Sequence, residues 1–100
     1  MPNKVLETDS FTRFFESSSV EEREWISKII EQLKQNSFVG KPLGYKWFRE
    51  KKYKGKRLYY LVYENSEKVL LLAFAGKKEQ QAIINNVLAN LERYRRIVGD

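Results

Sequence analysis

The sequence contains no cysteine and no histidine, and each absence excludes a class of protein. Without cysteine there is no disulfide bond, no thiolate metal site and no cysteine nucleophile. Without histidine the chain lacks the usual zinc ligand, the usual general base of acyl-transfer triads and the paired bases of many ribonucleases. Any chemistry must therefore use lysine, arginine, tyrosine and carboxylates, and we expect neither a bound metal nor a cofactor.

The chain also lacks a long apolar run. No stretch approaches the roughly 18 residues that would span a bilayer, and the start of the chain carries no hydrophobic signal segment. Its 100 residues, 42% hydrophobic and 32% charged, have the composition of one folded domain covering residues 1–100. We expect a cytoplasmic protein, which the absence of cysteine also fits.

Positive charge is concentrated in one short window. The formal net charge of the chain is +6, yet residues 1–40 carry five basic and seven acidic side chains, and residues 58–100 carry six and five. Residues 41–57 hold eight basic side chains against Glu50 alone, with aromatic residues interleaved: Tyr45, Trp47, Phe48 and Tyr53. Such a mixture suits a nucleic acid, because phosphates pair with cations and bases stack on rings. It is equally typical of a lysine-rich hairpin that protects a sheet edge.

The first part of the chain predicts a strand and a short helix. Residues 4–8 (KVLET) have the content of a short strand. Asp9 or Ser10 can cap a following helix. The apolar positions of that helix have helical spacing: Phe11, Phe14 and Phe15.

A longer second helix is predicted to end near Asn36. Ser19 and Glu22 have the spacing of a capping box, in which each side chain satisfies a free backbone N–H. The residues of its apolar stripe lie on one face: Ile26, Ile29, Ile30 and Leu33. The two helices together predict an antiparallel helical hairpin packed on a flat partner.

After residues 40–44 (GKPLG), which we interpret as a loop, the pattern changes to that of strands. The predicted strands are 45–53, 57–64 and the apolar 69–75 (VLLLAFA), which should lie at the sheet centre with both faces buried. The predicted turns are Lys54-Gly55 and Asn65-Ser66. A single helix is predicted over 79–96. The expected fold is α+β, in the order β-α-α-β-β-β-α, with an antiparallel meander and the helices on one face.

Three short motifs occur in the order found in one known family. They are Gly40-Lys41-Pro42-Leu43, then Arg57-Leu58-x-Tyr60, then Val69–Leu72 followed by Gly76-Lys77-Lys78-Glu79. With the order of elements, they resemble the RelE/ParE superfamily of toxins from type II toxin–antitoxin systems. The resemblance covers nearly the whole chain and implies two partners, a cognate antitoxin and messenger RNA on the ribosome.

The ribosome-dependent members of that family are metal-independent endoribonucleases. Cleavage by the ribose 2′-hydroxyl needs a base, cations for the phosphorane, and an acid or charge stabiliser for the leaving oxygen. By resemblance, Arg57 is the arginine placed against the scissile phosphate, Lys78 is the basic residue on its other side, and Lys77 is a second candidate there. The surrounding window supplies the predicted RNA-binding residues: Arg49, Lys51, Lys52, Lys54, Lys56 and Tyr53, together with Lys77.

The sequence departs from the family pattern at several positions. Phe48 and Glu50 stand where the type member has lysines, so Glu50 is either the general base or an ion-pair partner of a neighbour: Arg49, Lys52 or Arg57. Ile84 stands where the stacking tyrosine is expected, which leaves that role empty or gives it to another aromatic such as Tyr45 or Tyr53. The terminal His-Tyr pair of another branch is missing. Tyrosines at positions 59, 60 and 63 alternate along a strand, so at least one is expected in the core.

Three functions therefore remain open from the sequence. The first is a ribosome-dependent endoribonuclease. The second is a ParE-like toxin that poisons DNA gyrase by protein contact, which the missing lysine and tyrosine favour. The third is a catalytically degenerate member that binds only nucleic acid or its antitoxin.

Overall fold

The computed structural model describes residues 2–100 and contains one five-stranded sheet and four α-helices. The strands are β1 (Lys4–Glu7), β2 (Lys41–Tyr45), β3 (Phe48–Tyr53), β4 (Lys56–Tyr63) and β5 (Lys68–Gly76). The helices are α1 (Asp9–Glu16), α2 (Val20–Gln35), α3 (Gln80–Ala89) and α4 (Leu91–Val98), with a 3-10 turn at Lys77–Glu79 before α3. The predicted α+β class is confirmed.

The sheet has the strand order β1-β5-β4-β3-β2. Strands β2 to β5 form an antiparallel meander, and β1 adds to the edge of β5 in parallel. The predicted burial of residues 69–75 on both faces is confirmed, because β5 has neighbours on both sides and Val69 to Ala75 are buried. The central strand is β4, however, and β5 lies next to it.

The first two helices begin at side-chain caps. Thr8, rather than Asp9 or Ser10, caps α1, and its Oγ1 accepts the Phe11 N–H at 3.0 Å. The capping box of α2 is confirmed: Ser19 Oγ accepts the Glu22 N–H at 3.1 Å, and a Glu22 oxygen accepts the Ser19 N–H at 2.9 Å. Both caps satisfy backbone donors that a helix start leaves free.

The helices cover both faces of the sheet, so the prediction that they share one face is wrong. Side chains alternate along a strand, and β4 and β5 are apolar at successive positions, which gives two faces to bury. One face packs on α1 and α2, through residues such as Phe11, Ile26 and Leu33. The other packs on α3 and α4, through Val87 and Tyr94 among others.

The segment predicted as a loop is strand β2, and the predicted strand 45–53 is divided by a turn. Lys41 pairs with Glu50 across the β2–β3 ladder, so the chain reverses direction between Tyr45 and Phe48. Gly44, with φ of +84°, supplies the left-handed backbone that precedes this reversal. Pro42 is tolerated because β2 is an edge strand.

The predicted helix over 79–96 is interrupted at Asn90, which separates α3 from α4. The Asn90 side chain donates to the Asn86 carbonyl at 2.7 Å, and its backbone N–H bonds to Val87 O at 3.0 Å. An asparagine side chain that competes for helix carbonyls favours such a break. No helix within residues 2–100 has both the length and the apolar character needed to cross a membrane.

Candidate nucleic-acid interface and active site

The strands β3 and β4 bring Glu50 and Arg57 together on the face that α3 covers. Glu50 lies across from Tyr59, and Lys52 lies across from Arg57. Because side chains alternate along a strand, these four residues share a face with Phe48, which packs in the core beneath α3 and α4. The candidate site therefore lies where this face reaches the start of α3.

Glu50 and Arg57 form an ion pair, with 3.3 Å between Arg57 Nε and Glu50 Oε1. Their side chains are only 12% and 14% exposed, for Arg57 and Glu50 respectively. The second carboxylate oxygen accepts a hydrogen bond from Gln80 Nε2 at 2.8 Å. Of the ion-pair partners considered for Glu50, the structure thus selects Arg57, and it holds the carboxylate from both sides.

Tyr59 lies next to this ion pair and is fully buried. Its hydroxyl has no hydrogen-bond partner within residues 2–100. Burial, and after it the charge of Glu50, raise the pKa of the Tyr59 hydroxyl. The β4–β5 register shifts after Tyr59, which pairs with Ala73, and this β-bulge re-aims the residues of β5 beside the site.

Further cations lie at the same end of the sheet. Gly76 pairs with Lys56, so the turn that carries Lys77 and Lys78 starts close to the first residues of β4. Lys52, Lys77 and Lys78 form no salt bridge with any residue between 2 and 100. Lys78 borders a depression of about 450 Å³ together with Lys54 and Lys56, whereas Arg57 is not among the residues that line it.

The tip of the β3–β4 hairpin is attached to α2 instead of facing the Glu50–Arg57 pair. Lys54 pairs with Glu21 at 3.0 Å and Lys56 with Glu22 at 2.9 Å. The Lys54 ammonium holds the pKa of Glu21 below its usual value. The Lys54–Glu21 pair is exposed at both ends and contributes only about 0–1 kcal/mol, so Lys54 can exchange its carboxylate for a phosphate at small cost. The same does not hold for Lys56, because the Glu22 side chain is only 18% exposed.

Tyr53 and Lys51 also lie on the α1/α2 face of the sheet. The Tyr53 ring stacks on Trp25, with 4.6 Å between centroids, and is partly buried. Lys51 lies across from Leu58, whose side chain belongs to the core under α1 and α2. The aromatic role predicted for Tyr53 is therefore occupied by a contact within the protein.

Arg49 is a structural residue, which corrects its inclusion among the RNA-binding residues. It is 9% exposed, and its guanidinium donates to Gly40 O at 2.7 Å and to Lys46 O at 3.0 Å. It also lies 5.0 Å from the centroid of the Phe38 ring. Arg49 thus ties the segment before β2 to β3, and its guanidinium donates to backbone carbonyl oxygens of the protein.

The remaining aromatic candidates divide between core and surface. Phe48, Tyr59 and Tyr60 are fully buried, which confirms that at least one of the alternating tyrosines belongs to the core. Tyr45 is 43% exposed and stacks on Trp47 at 4.6 Å. Ile84 packs partly buried against the core beneath α3 and α4.

Gln80 and Tyr59 are the two site residues that sequence reasoning missed. Gln80 is one of two adjacent glutamines, and nothing in the helical spacing distinguishes the one that reaches the sheet. Tyr59 could have been found, because it alternates with Leu58 and Tyr60 and so shares a face with Arg57.

No protein-family model matches the sequence, and no curated protein sequence does either. Solved structures of RelE toxins do match the fold. A double mutant of Escherichia coli RelE in the free state gives a TM-score of 0.75 at 16% identity, over 90% of this chain and 98% of that one. RelE from the intact E. coli RelBE toxin–antitoxin complex gives a TM-score of 0.67 at 15% identity, over 74% of this chain and 95% of that one. The RelB–RelE complex of Methanococcus jannaschii gives a TM-score of 0.60 at 18% identity, over 77% of this chain and 95% of that one. The predicted resemblance is thus confirmed for the fold.

Proposed function

We propose that this chain, which has the fold of the RelE toxins, is the toxin of a toxin–antitoxin pair and cleaves messenger RNA on the ribosome without a metal ion. The observation that carries the proposal is Arg57, which is held on a strand by Glu50 and lies across from Lys52, at the end of the sheet that also carries Lys77 and Lys78. A fixed guanidinium with further cations nearby suits a phosphodiester.

The reaction requires little more than charge and position. The ribose 2′-oxygen attacks the neighbouring phosphorus as its proton leaves to a base. The bond to the 5′-oxygen then breaks, and that oxygen takes up a proton. The products are a 2′,3′-cyclic phosphate and a 5′-hydroxyl. Arg57 would neutralise the doubly charged phosphorane, and Lys77 or Lys78, at the same end of the sheet, would add positive charge near it.

Dependence on the ribosome fits the small set of catalytic groups. The chain has no histidine and no cysteine to move protons near neutral pH. Holding the 2′-hydroxyl in line with the phosphate can by itself supply a large part of the rate. A ribosome that fixes the messenger in this geometry would therefore supply what the chain lacks.

We also propose an antitoxin as the second partner. The intact E. coli RelBE complex and the M. jannaschii complex named above contain RelE together with RelB. A partner for this chain would have to neutralise Lys52, Lys77 and Lys78, which are exposed and form no salt bridge within residues 2–100. We expect it to present acidic side chains there.

Arg57→Ala is the test of the proposal. Without the guanidinium, cleavage of ribosome-bound messenger should fall by at least about 100-fold, in line with the loss of a transition-state charge partner. Arg57→Lys should recover only part of the rate, since it keeps the charge but not the fork. Arg96→Ala, at an exposed position on α4, is the matched control and should cleave normally. Normal cleavage by Arg57→Ala at equal protein level would contradict the proposal.

Gyrase poisoning is the second candidate, because Phe48 and Glu50 replace the lysines of the nuclease pattern and Ile84 replaces its tyrosine. Controlled expression followed by mapping of transcript ends separates the two functions. Cuts within codons of the ribosomal A site support the nuclease. Filamentation and an SOS response with intact transcripts support gyrase poisoning.

A further inference from the structure

We propose that Gln80 is a positioning residue of this site: acting through the Glu50 carboxylate, it fixes the direction in which Arg57 presents its guanidinium. This role rests on the proposed function and adds a residue to its site. Gln80 does not itself need to touch the substrate.

Three side chains from three different elements form one hydrogen-bonded chain. Gln80 Nε2, at the start of α3, donates to Glu50 Oε2 on β3 at 2.8 Å. Arg57 Nε, on β4, donates to the other oxygen of Glu50 at 3.3 Å. A carboxylate bonded at one oxygen only can rotate about its last torsion angle, whereas one held at both oxygens cannot. Gln80 therefore fixes the acceptor to which Arg57 is bound.

The way in which Arg57 is bound leaves its fork available. Within residues 2–100, its hydrogen bond to protein is made by Nε, and neither terminal nitrogen donates to a protein group. Phosphate oxygens accept a pair of guanidinium N–H groups in a fixed planar geometry. A carboxylate that holds Nε thus orients the two terminal nitrogens without occupying them.

An amide at position 80 performs this role better than a charged group would. A lysine there would compete with Arg57 for Glu50, and a glutamate would repel the carboxylate. A neutral donor holds Glu50 while leaving its charge for Arg57. Gln80 also directly follows the turn with Lys77 and Lys78, so one segment places those cations and the carboxylate.

The neighbouring glutamine provides a matched control. Gln81 is exposed and donates to Asn85 on its own helix at 3.0 Å, away from Glu50. Gln80→Met and Gln81→Met remove the same amide from adjacent positions and keep a side chain of similar length. Any general effect of methionine on α3 should therefore appear in both variants.

The experiment measures single-turnover cleavage of messenger on programmed ribosomes as a function of toxin concentration. Gln80→Met should lower the rate at saturation by about tenfold and leave the half-saturating concentration unchanged, because guanidinium direction matters most in the transition state. Gln81→Met should match the wild type in both. Circular dichroism and the unfolding midpoint establish that each variant is folded at the assay temperature. If Gln80→Met is not folded there, Gln80→Leu is measured instead.

A double-mutant cycle separates a positioning role from a purely structural one. If Gln80 acts through Glu50, Gln80→Met should cause no further loss of rate in the Glu50→Ala background. If Glu50→Ala does not fold, the test is the Gln80→Met variant alone: a lower rate at saturation with an unchanged half-saturating concentration supports the positioning role.

Several results would overturn the positioning role. They are a wild-type rate in Gln80→Met, an equal loss in Gln81→Met, a change in half-saturation alone, and additive losses in the cycle. A wild-type chain that does not cleave, or an Arg57→Ala variant that does, would instead overturn the proposed function itself. The two failures are therefore distinguishable.

Discussion

The two faces of the sheet differ in what their side chains do. On the α1/α2 face, the core is built almost wholly of apolar residues such as Phe11, Ile26 and Leu33. On the α3/α4 face, the apolar core ends at a mostly buried ion pair, Glu50–Arg57. Burying charge costs free energy even when the pair is well formed. Both faces therefore stabilise the fold with a buried core, and only the α3/α4 face adds a mostly buried ion pair, at the candidate site.

The helix starts show the same division. Thr8 caps α1 and a complete capping box begins α2, whereas no side-chain cap bond from residues 2–100 begins α3 or α4. The Asn90 break also shortens both C-terminal helices to ten residues or fewer. Short uncapped helices open at lower free energy, so α3 and α4 should exchange their amide hydrogens before α2 does.

The largest expected difference between the faces is in large-to-small substitutions. Phe11→Ala should lower the free energy of unfolding by about 3–5 kcal/mol, because it leaves a cavity in the fully buried α1/α2 core. Val87→Ala, equally buried on the other face, removes less apolar surface and should cost about 2 kcal/mol. Urea unfolding measures both. A larger loss of unfolding free energy for Val87→Ala than for Phe11→Ala would contradict the expected difference between the two faces.

Gly40→Ala should destabilise the protein by about 3 kcal/mol, through overpacking. A Cβ at Gly40 would clash with the Glu50 carbonyl oxygen and lie 3.0 Å from the Tyr60 hydroxyl, which accepts the Gly40 N–H at 2.9 Å. The β3 backbone would have to move at Glu50. Gly55→Ala is the control, since its Cβ would meet nothing within 4 Å, and its midpoint in urea should change little. A midpoint for Gly40→Ala equal to that of the control would show that the segment before β2 moves freely.

A smaller loss, about 1 kcal/mol, is expected for Ser19→Ala, which removes half of the α2 capping box. Ser27→Ala, at an exposed position inside the same helix, should be neutral or slightly stabilising, because alanine is the better helix former. Equal midpoints for the two variants in thermal unfolding would mean that the cap does not secure the α1/α2 face.

The smallest expected effect is a pH dependence at Glu22. The Ser19 backbone N–H, and after it Lys56, lower the pKa of Glu22 from its ordinary 4.5. A lowered folded-state pKa contributes stability that is present above 4.5 and is lost as the pH falls through the folded value. The stability gap between wild type and Glu22→Gln, measured by unfolding in denaturant, should therefore shrink on acidification below 4.5. A gap that stays constant there would exclude the carboxylate charge as its cause.

Local signals in the sequence were sufficient for most elements of the fold. The capping box at Ser19 and the wholly apolar run before Gly76 each report a short-range cause, and both predictions are confirmed. Strand β2 was missed because it is short and contains Pro42. Gly40 before it and Gly44 within it are also residues typical of a turn. The break at Asn90 was missed because it depends on side-chain bonds to Asn86 that compete with an otherwise helical pattern.

The candidate site was less accessible to sequence reasoning. The Arg57–Glu50 pair was among the alternatives considered. The two residues lie on adjacent strands of one hairpin, and they meet diagonally, because Glu50 faces Tyr59 and Arg57 faces Lys52. The charge count could not separate Arg49, which is buried on carbonyl oxygens, from Lys52, which is exposed. The burial of Arg49 depends on its contacts with Phe38 and Gly40, which precede β2, and a charge count along the chain does not show such contacts.

The parallel pairing of β1 with β5 has a consequence for how the chain acquires its structure during synthesis. Thr8 bonds to Leu72, 64 residues further along, so the earliest strand to be translated waits for the latest one. Closing so long a loop is entropically costly and slow compared with forming the hairpins between them. A nascent chain that ends before β5 can therefore form the β2–β3 and β3–β4 hairpins and the first two helices, but not the complete five-stranded sheet.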